Sequence, residues 1–284
     1  MNLNRNFITR FESDVFHKYQ DEMKLQNTVR IKSGGAEKIR FNVIDQGMAH
    51  KRIPKTNVVP MGINHGYVDI YLEDWSAPEY VDIYDLEKIN FDDRKELVQV
   101  IKKALGRRQD QMIIDALAAT TTTARTVAVN TGGDNTMNLQ KILRAKRYFD
   151  TIGVPEGDRH IAMDPGALEQ LLFDERIASS DYNTVKALHE GTLKTYAGFT
   201  FHFIGARKEG GLPYTETGGV VSGAAYAWQK DAMGLALGID KRVEMNYVSE
   251  KTSWLVNGLL QAGAGAVQPD GVVTILAQWP ALPA

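Results

Sequence analysis

Between Asp92 and Ala119 the chain holds one helical period for longer than an ordinary globular helix runs. Leu97, Ile101, Leu105, Met112 and Ala116 follow spacings of four, four, seven and four and form a single apolar stripe. Ile113, Ile114 and Leu117 widen that stripe, so the later turns should be the more deeply buried. Asn90, Asp92 and Asp93 supply a cap and acids for the helix start, and Lys102, Lys103, Arg107 and Arg108 populate later turns. At its rise per residue such a helix is roughly 40 Å long. It predicts a spine on which other elements are laid; a long helix in an ordinary α/β enzyme is the alternative reading.

Ahead of the spine the period changes. Asn6 to Leu25 reads as a helix with Phe7, Phe11, Phe16 and Tyr19 among polar neighbours. Ile39, Phe41 and Val43 then alternate, as do Val68, Ile70 and Leu72, and more weakly Val81 and Ile83, which indicates strands with one buried face. Between the first two strands lies Asp45 to Gly66, with Pro54, Pro60 and almost no periodicity. Connections in compact domains have a median of about 4–6 residues, so a loop this long is disordered or functional. Joining two adjacent strands, it should project as a long hairpin. Charge divides at the same place: Arg30 to Gly66 carries a net +5, and Tyr67 to Asp93 a net −8. Opposite surfaces on one chain suit head-to-tail contact between copies, and two solvated faces that neutralise each other within one subunit fit equally well.

Beyond the spine, Thr120 to Asn135 is β-prone and then turn-rich, and reads as a hinge between modules. A helix is expected near Asn138 to Ile152, a strand over Arg159 to Met163, and a helix opened by Asp164-Pro165 as cap and first position. Phe199, Phe201 and Phe203 alternate as a strand, and Gly210 to Gly219 reads as a flexible loop. Ser253 to Val267 and Gly271 to Leu276 read as two strands paired with each other through the turn Gln268-Pro269-Asp270-Gly271. The fold class is α+β.

Signatures of chemistry are sparse. There is no cysteine, which excludes disulfides, thiolate metal sites and a cysteine nucleophile. No phosphate-binding glycine motif occurs, and Ser222 lies in no G-x-S-x-G elbow. The histidines His17, His50, His65, His160, His189 and His202 lack metal-ligand spacing, although His50 and His65 would meet if the hairpin folded back. Acidic pairs such as Glu73/Asp74 and Asp174/Glu175 are consecutive and need not face one another across a substrate. Lys141, Arg144, Lys146 and Arg147 form a local basic cluster, but a pI near 6.3 argues against a nucleic-acid-binding role for the whole surface. The expectation is no catalytic residue, no cofactor and no metal. No stretch approaches the roughly 20 apolar residues of a membrane span, and the first residues lack a signal-peptide core, so the chain is expected to be soluble and made in a cytoplasm.

The order of elements and several strings carry a resemblance. KIRFNVIDQG, HGYVDIYLEDWSAPEYVDIYDLEKINFDDRKELVQVIKKALGRRQDQMIIDAL, HIAMDPGALEQLLFDERIASSDYN, GTLKTYAGFTFHF, AYAWQKDAMGLALGID and GAVQPDGVVTIL together resemble tailed-bacteriophage major capsid proteins of the Hong Kong 97-type fold. The resemblance implies an N-arm over 1–29 and an E-loop region over 30–84 with its tip at 45–66. It implies a P-domain over 85–129 and 246–284, with the spine helix at 92–119, and an A-domain over 130–245. It implies a homo-oligomer of pentamers and hexamers, closed into a shell around DNA that it encloses without sequence-specific contacts, with no membrane association. A separate scaffolding protein and a portal are expected as partners, with a decoration protein as a further candidate, and assembly in the host cytoplasm before residence in the virion. At the tip, His50, Lys51, Arg52 and Lys55 are the candidate contact residues, and Asp82, Asp85 and Asp92 their candidate acidic partners on the neighbouring copy. An encapsulin-type compartment and an α/β enzyme remain the competing readings.

Overall fold

A computed structural model describes residues 20–35, 37–86, 93–173, 195–205, 207 and 209–281. Most of the helix expected over Asn6 to Leu25 lies outside these residues, and residues 20–25 are irregular. In chain order the strands are β1 (Arg30–Ser33), β2 (Lys38–Ile44), β3 (His65–Tyr71), β4 (Glu73–Asp82), β5 (Thr126–Val127), β6 (Arg159–Met163), β7 (Thr195–Tyr196), β8 (Phe199–Phe203), β9 (Tyr214–Thr217), β10 (Val220–Gln229), β11 (Met233–Val248), β12 (Ser253–Ala266) and β13 (Val272–Pro280). The helices are α1 (Ile83–Leu86), α2 (Asp93–Ala119), α3 (Leu139–Ile152) and α4 (Pro165–Leu172). The strands form a four-stranded sheet ordered β1-β11-β12-β4, a second ordered β5-β13-β10-β6-β8-β7 with β9 added beside β10, and the separate hairpin β2-β3.

The helix α2 is the expected spine, described from Asp93; Asn90 and Asp92, expected to cap it, lie outside the described residues. It lies across β12, β4 and β11 and buries Ile101, Leu105, Met112, Ile113, Ile114 and Leu117. Gly258 makes this approach possible, because a Cβ there would overlap Ile101 and Leu105. The hairpin's root packs Ile39, Phe41 and Ile70 on Ala236 and Val267, a separate small core. Its seat is made of small residues: a Cβ at Gly234 would come within 3.0 Å of Phe41 and Ile70, and one at Gly263 would overlap the Tyr71 carbonyl.

On the second sheet α3 and α4 pack against β13, burying Ile142, Ala145, Phe149, Ala167 and Leu171. Both helices begin as their sequences predict. Asn138 Oδ1 accepts the Lys141 N–H at 3.0 Å, and Asp164 Oδ1 accepts the Gly166 N–H at 2.8 Å with Pro165 at the first position.

Two expectations fail. Ser253–Ala266 and Val272–Pro280 do not pair with each other: β12 runs between β11 and β4, while β13 runs between β10 and β5 in the other sheet. The turn at Pro269–Gly271 therefore carries the chain from one sheet to the other, as Lys230–Ala232 does between β10 and β11. The two crossings are stitched together, because the Val267 and Gln268 N–H groups both donate to the Ala232 carbonyl, at 2.8 and 3.1 Å. Gly258 lets β12 lie close under α2, and β13 brings Val273, Ile275 and Trp279 to the core beneath α3 and α4. The second failure is the glycine-rich loop, which contains β9. Gly218 and Gly219, with φ of 61° and 78°, form a two-residue hairpin turn that returns Thr217 beside Val220. The segment expected as a hinge joins the second sheet through β5, and Thr121 Oγ1 meets Thr274 Oγ1 at 2.9 Å.

Candidate subunit-contact surface

The β2-β3 stem holds its charges internally. Lys38 Nζ reaches Asp69 at 2.7 Å, Arg40 Nε reaches it at 2.8 Å, and the Arg40 guanidinium lies 3.7 Å from the Tyr67 ring centre. The hydrogen bonds from Arg40 and then Lys38 hold the Asp69 carboxyl well below the usual carboxylate range. Part of the charge reversal in the sequence is thus neutralised within one subunit.

Past the stem the chain leaves every other element. The Asp45 N–H donates to the Asn64 carbonyl at 3.1 Å, and then residues 46–64 carry no strand. The only local order is a turn at Ile53-Pro54-Lys55-Thr56, where Lys55 takes φ of 66° and the Thr56 hydroxyl donates to the Ile53 carbonyl at 2.7 Å. His50, Lys51, Arg52 and Lys55 gather around that turn, all exposed. Among the described residues, Lys51, Arg52 and Lys55 have no ion-pair partner. His50 and His65 were expected to meet only if the hairpin folded back; the ladder places His65 opposite Ile44 at the stem's mouth.

A feature that charge counting misses dominates the tip. Val58 is 86% exposed, Met48 78%, Val59 67% and Ile53 63%. Aliphatic side chains on a projecting loop shed water only against another surface, and contiguous exposed apolar area marks interaction sites. The signal was present as Val58-Val59 and Ile53, but no periodicity marked it.

Of the acidic candidates, Asp82 is exposed at the end of β4, where its carboxylate accepts the Tyr84 N–H at 2.9 Å. The side chain of Asp85 and all of Asp92 lie outside the described residues. The contact expected for these acids is with the hairpin tip of another copy.

Sequence reasoning also missed how the chain leaving the N-terminal segment is anchored. Asp110, fully buried on α2, accepts the N–H groups of Lys24 and Leu25 at 2.9 and 3.0 Å. Burial raises its carboxyl, and those two donors and Arg207 act against that rise. Lys241 Nζ donates to Gln26 and Gln109 at 3.0 Å each, and Trp228 Nε1 donates to the Thr28 carbonyl at 2.9 Å. Residues 24–29 are thereby fixed between α2 and the second sheet. Ser222 Oγ accepts from Gln278 Nε2 at 3.1 Å across the β10-β13 pair. No helix among the described residues is long and apolar enough to cross a membrane.

Comparison with known proteins adds a common pattern to this architecture. A family model described as phage capsid protein matches residues 3–278. No curated protein sequence matches the chain. Among solved structures, the head of Helicobacter pylori bacteriophage KHP40 superposes with a TM-score of 0.76 at 12% identity, covering 98% of this chain and 99% of that one. The capsid of cyanophage P-SCSP1u gives 0.75 at 16% identity, covering 96% and 93%, and Mycobacterium phage Che8 gives 0.72 at 16%, covering 96% and 98%.

Proposed function

The chain belongs to the phage capsid protein family, and from that premise we propose that it self-assembles into the icosahedral head shell that encloses a tailed phage's double-stranded DNA. It is a structural shell protein with the Hong Kong 97-type fold. Its role in this reading is tiling and not catalysis. Pentamers and hexamers form in the host cytoplasm with a separate scaffolding protein and a portal, and a decoration protein is a further candidate partner.

The domain plan that goes with this reading has residues 1–29 as the N-arm, 30–84 as the E-loop region, α2 with the long strands β11 and β12 as the P-domain, and the module on the second sheet as the A-domain. The plan inferred from sequence placed 246–284 in the P-domain and 130–245, most of β11 included, in the A-domain; because β11 pairs with β12, it goes with the P-domain. Because β13 pairs with β10, residues 272–280 are better assigned with the A-domain. The hairpin tip lies over the neighbouring subunit, with Lys51, Arg52 and Lys55 facing acids that include Asp82, Asp85 and Asp92.

The observation that carries the reading is the projecting hairpin whose aliphatic tip has no cover among the described residues of its own subunit. Electron microscopy of the chain expressed with its scaffolding protein should show closed hollow particles. Replacing residues 46–63 by a short turn should leave a folded subunit that forms none. Discrete monomers of the unaltered chain under every assembly condition would overturn the proposal.

A further inference from the structure

Two surfaces of the module on the second sheet remain open. The outer face of α3 carries Arg144 and Arg147, flanked at its two edges by Leu143 and Ile152, 46% and 44% exposed. With Tyr148 and Thr151, the two arginines and Ile152 line an open groove of about 290 Å³. The other surface is a cavity of about 470 Å³ between the start of α4, β9 and the end of β13. Pro165, Val221, Trp279 and Pro280 give it apolar walls, and Glu169 and Glu216 stand exposed on its lining. Asp164 also lines it but is engaged in capping α4. Among the described residues none of Arg144, Arg147, Glu169 and Glu216 has an ion-pair partner.

The two surfaces share no residue and are opposite in sign: two arginines with apolar side chains at their edges on one, and two glutamates on an apolar-walled cavity on the other. We propose that they meet between copies: Arg144 and Arg147 of one subunit pair with Glu169 and Glu216 of the next, while Ile152 beside them packs on the walls of the apolar cavity. A contact between two different patches is head-to-tail, and repeated copies close into a ring when the rotation permits. Resting on the shell reading above, this assigns the contact to the ring of subunits within one pentamer or hexamer, separate from the hairpin contact. A nucleic-acid phosphate is the other natural partner for two arginines one turn apart. The apolar side chains flanking them favour a protein surface, since a phosphate backbone offers nothing to cover Leu143 and Ile152.

Charge reversal tests the pairing. Arg144→Glu/Arg147→Glu and Glu169→Arg/Glu216→Arg alter exposed side chains only, so urea unfolding of the unassembled subunit should match the unaltered chain. Each variant should lower the yield of rings and shells at least tenfold by size exclusion and light scattering. The chain carrying all four substitutions should recover that yield. Either reversed variant assembling like the unaltered chain overturns the pairing, as does a loss that the four-fold exchange does not restore, the result a nucleic-acid partner would give. The shell reading falls separately, on failure of the unaltered chain to assemble in the same experiment.

Discussion

His160 Nδ1 and His202 Nε2 lie 3.1 Å apart on neighbouring strands of the second sheet, and both rings pack on Trp228 at centroid distances of 5.9 and 6.4 Å. Burial, then the neighbouring imidazole and the Lys24 ammonium, lower His202 to about 4. Burial also lowers His160, opposed by Asp158 and assisted by Lys230. The folded value lies below the ordinary 6.5, so as pH falls the unfolded chain takes up the proton first. Stability is therefore full above about pH 6.5, declines toward pH 4 and is flat below it. His202→Gln should flatten that slope by about 2 kcal/mol once solvent screening of a half-buried ring is allowed for, measured as denaturant unfolding at pH 7 and pH 4.5. Residue-level reading of the sequence could not foresee such roles. Lys141 looks like Arg144 in the sequence, yet its ammonium is wrapped by the Asn135 and Thr136 carbonyls, at 3.1 and 2.5 Å, in a turn that Asp134 holds by accepting from the Thr136 N–H and hydroxyl and from Asn138 Nδ2.

At the scale of elements, contact between α2 and the first sheet depends on a missing side chain. Gly258→Val should lower subunit stability by about 3 kcal/mol in urea, because the new methyls meet Ile101 and Leu105 on a helix that cannot shift without unseating Met112 to Leu117. Adding Ile101→Ala should recover part of the loss. Helices and single strands were legible because their signals are local: a period of 3.6 in α2 and α3, a period of two in β2 and β8, and a cap at Asp164. Pairing was not. Both β12 and β13 read as apolar runs joined by a good turn, and what parts them is pairing with different strands, β11 and β4 for one and β10 and β5 for the other. The contact surface divides in the same way. Lys51, Arg52 and Lys55 were visible as charges, whereas Met48, Val58 and Val59 gain meaning only when the loop is seen to have nothing beneath it.

For the whole molecule, the proposed tip contact makes a prediction of how assembly responds to salt. Charge pairs alone would weaken as ionic strength rises, while apolar burial persists. Lys51→Glu/Arg52→Glu/Lys55→Glu should therefore slow assembly chiefly at low salt, and Val58→Ser/Val59→Ser should reduce it several-fold at low and high salt alike, both followed by light scattering. The paired crossings between the sheets bear on an earlier moment, the making of the chain. Strand β13 sits inside the second sheet, between β5 and β10, and comes last in chain order among the described strands. A ribosome working through residues 233–266 has supplied the first sheet and α2, but the second core still lacks Val273, Ile275 and Trp279. Its module closes only once residue 280 has cleared the exit tunnel. A chain cut short before β13 thus cannot present a finished tile, and each copy entering a shell has been translated through that strand.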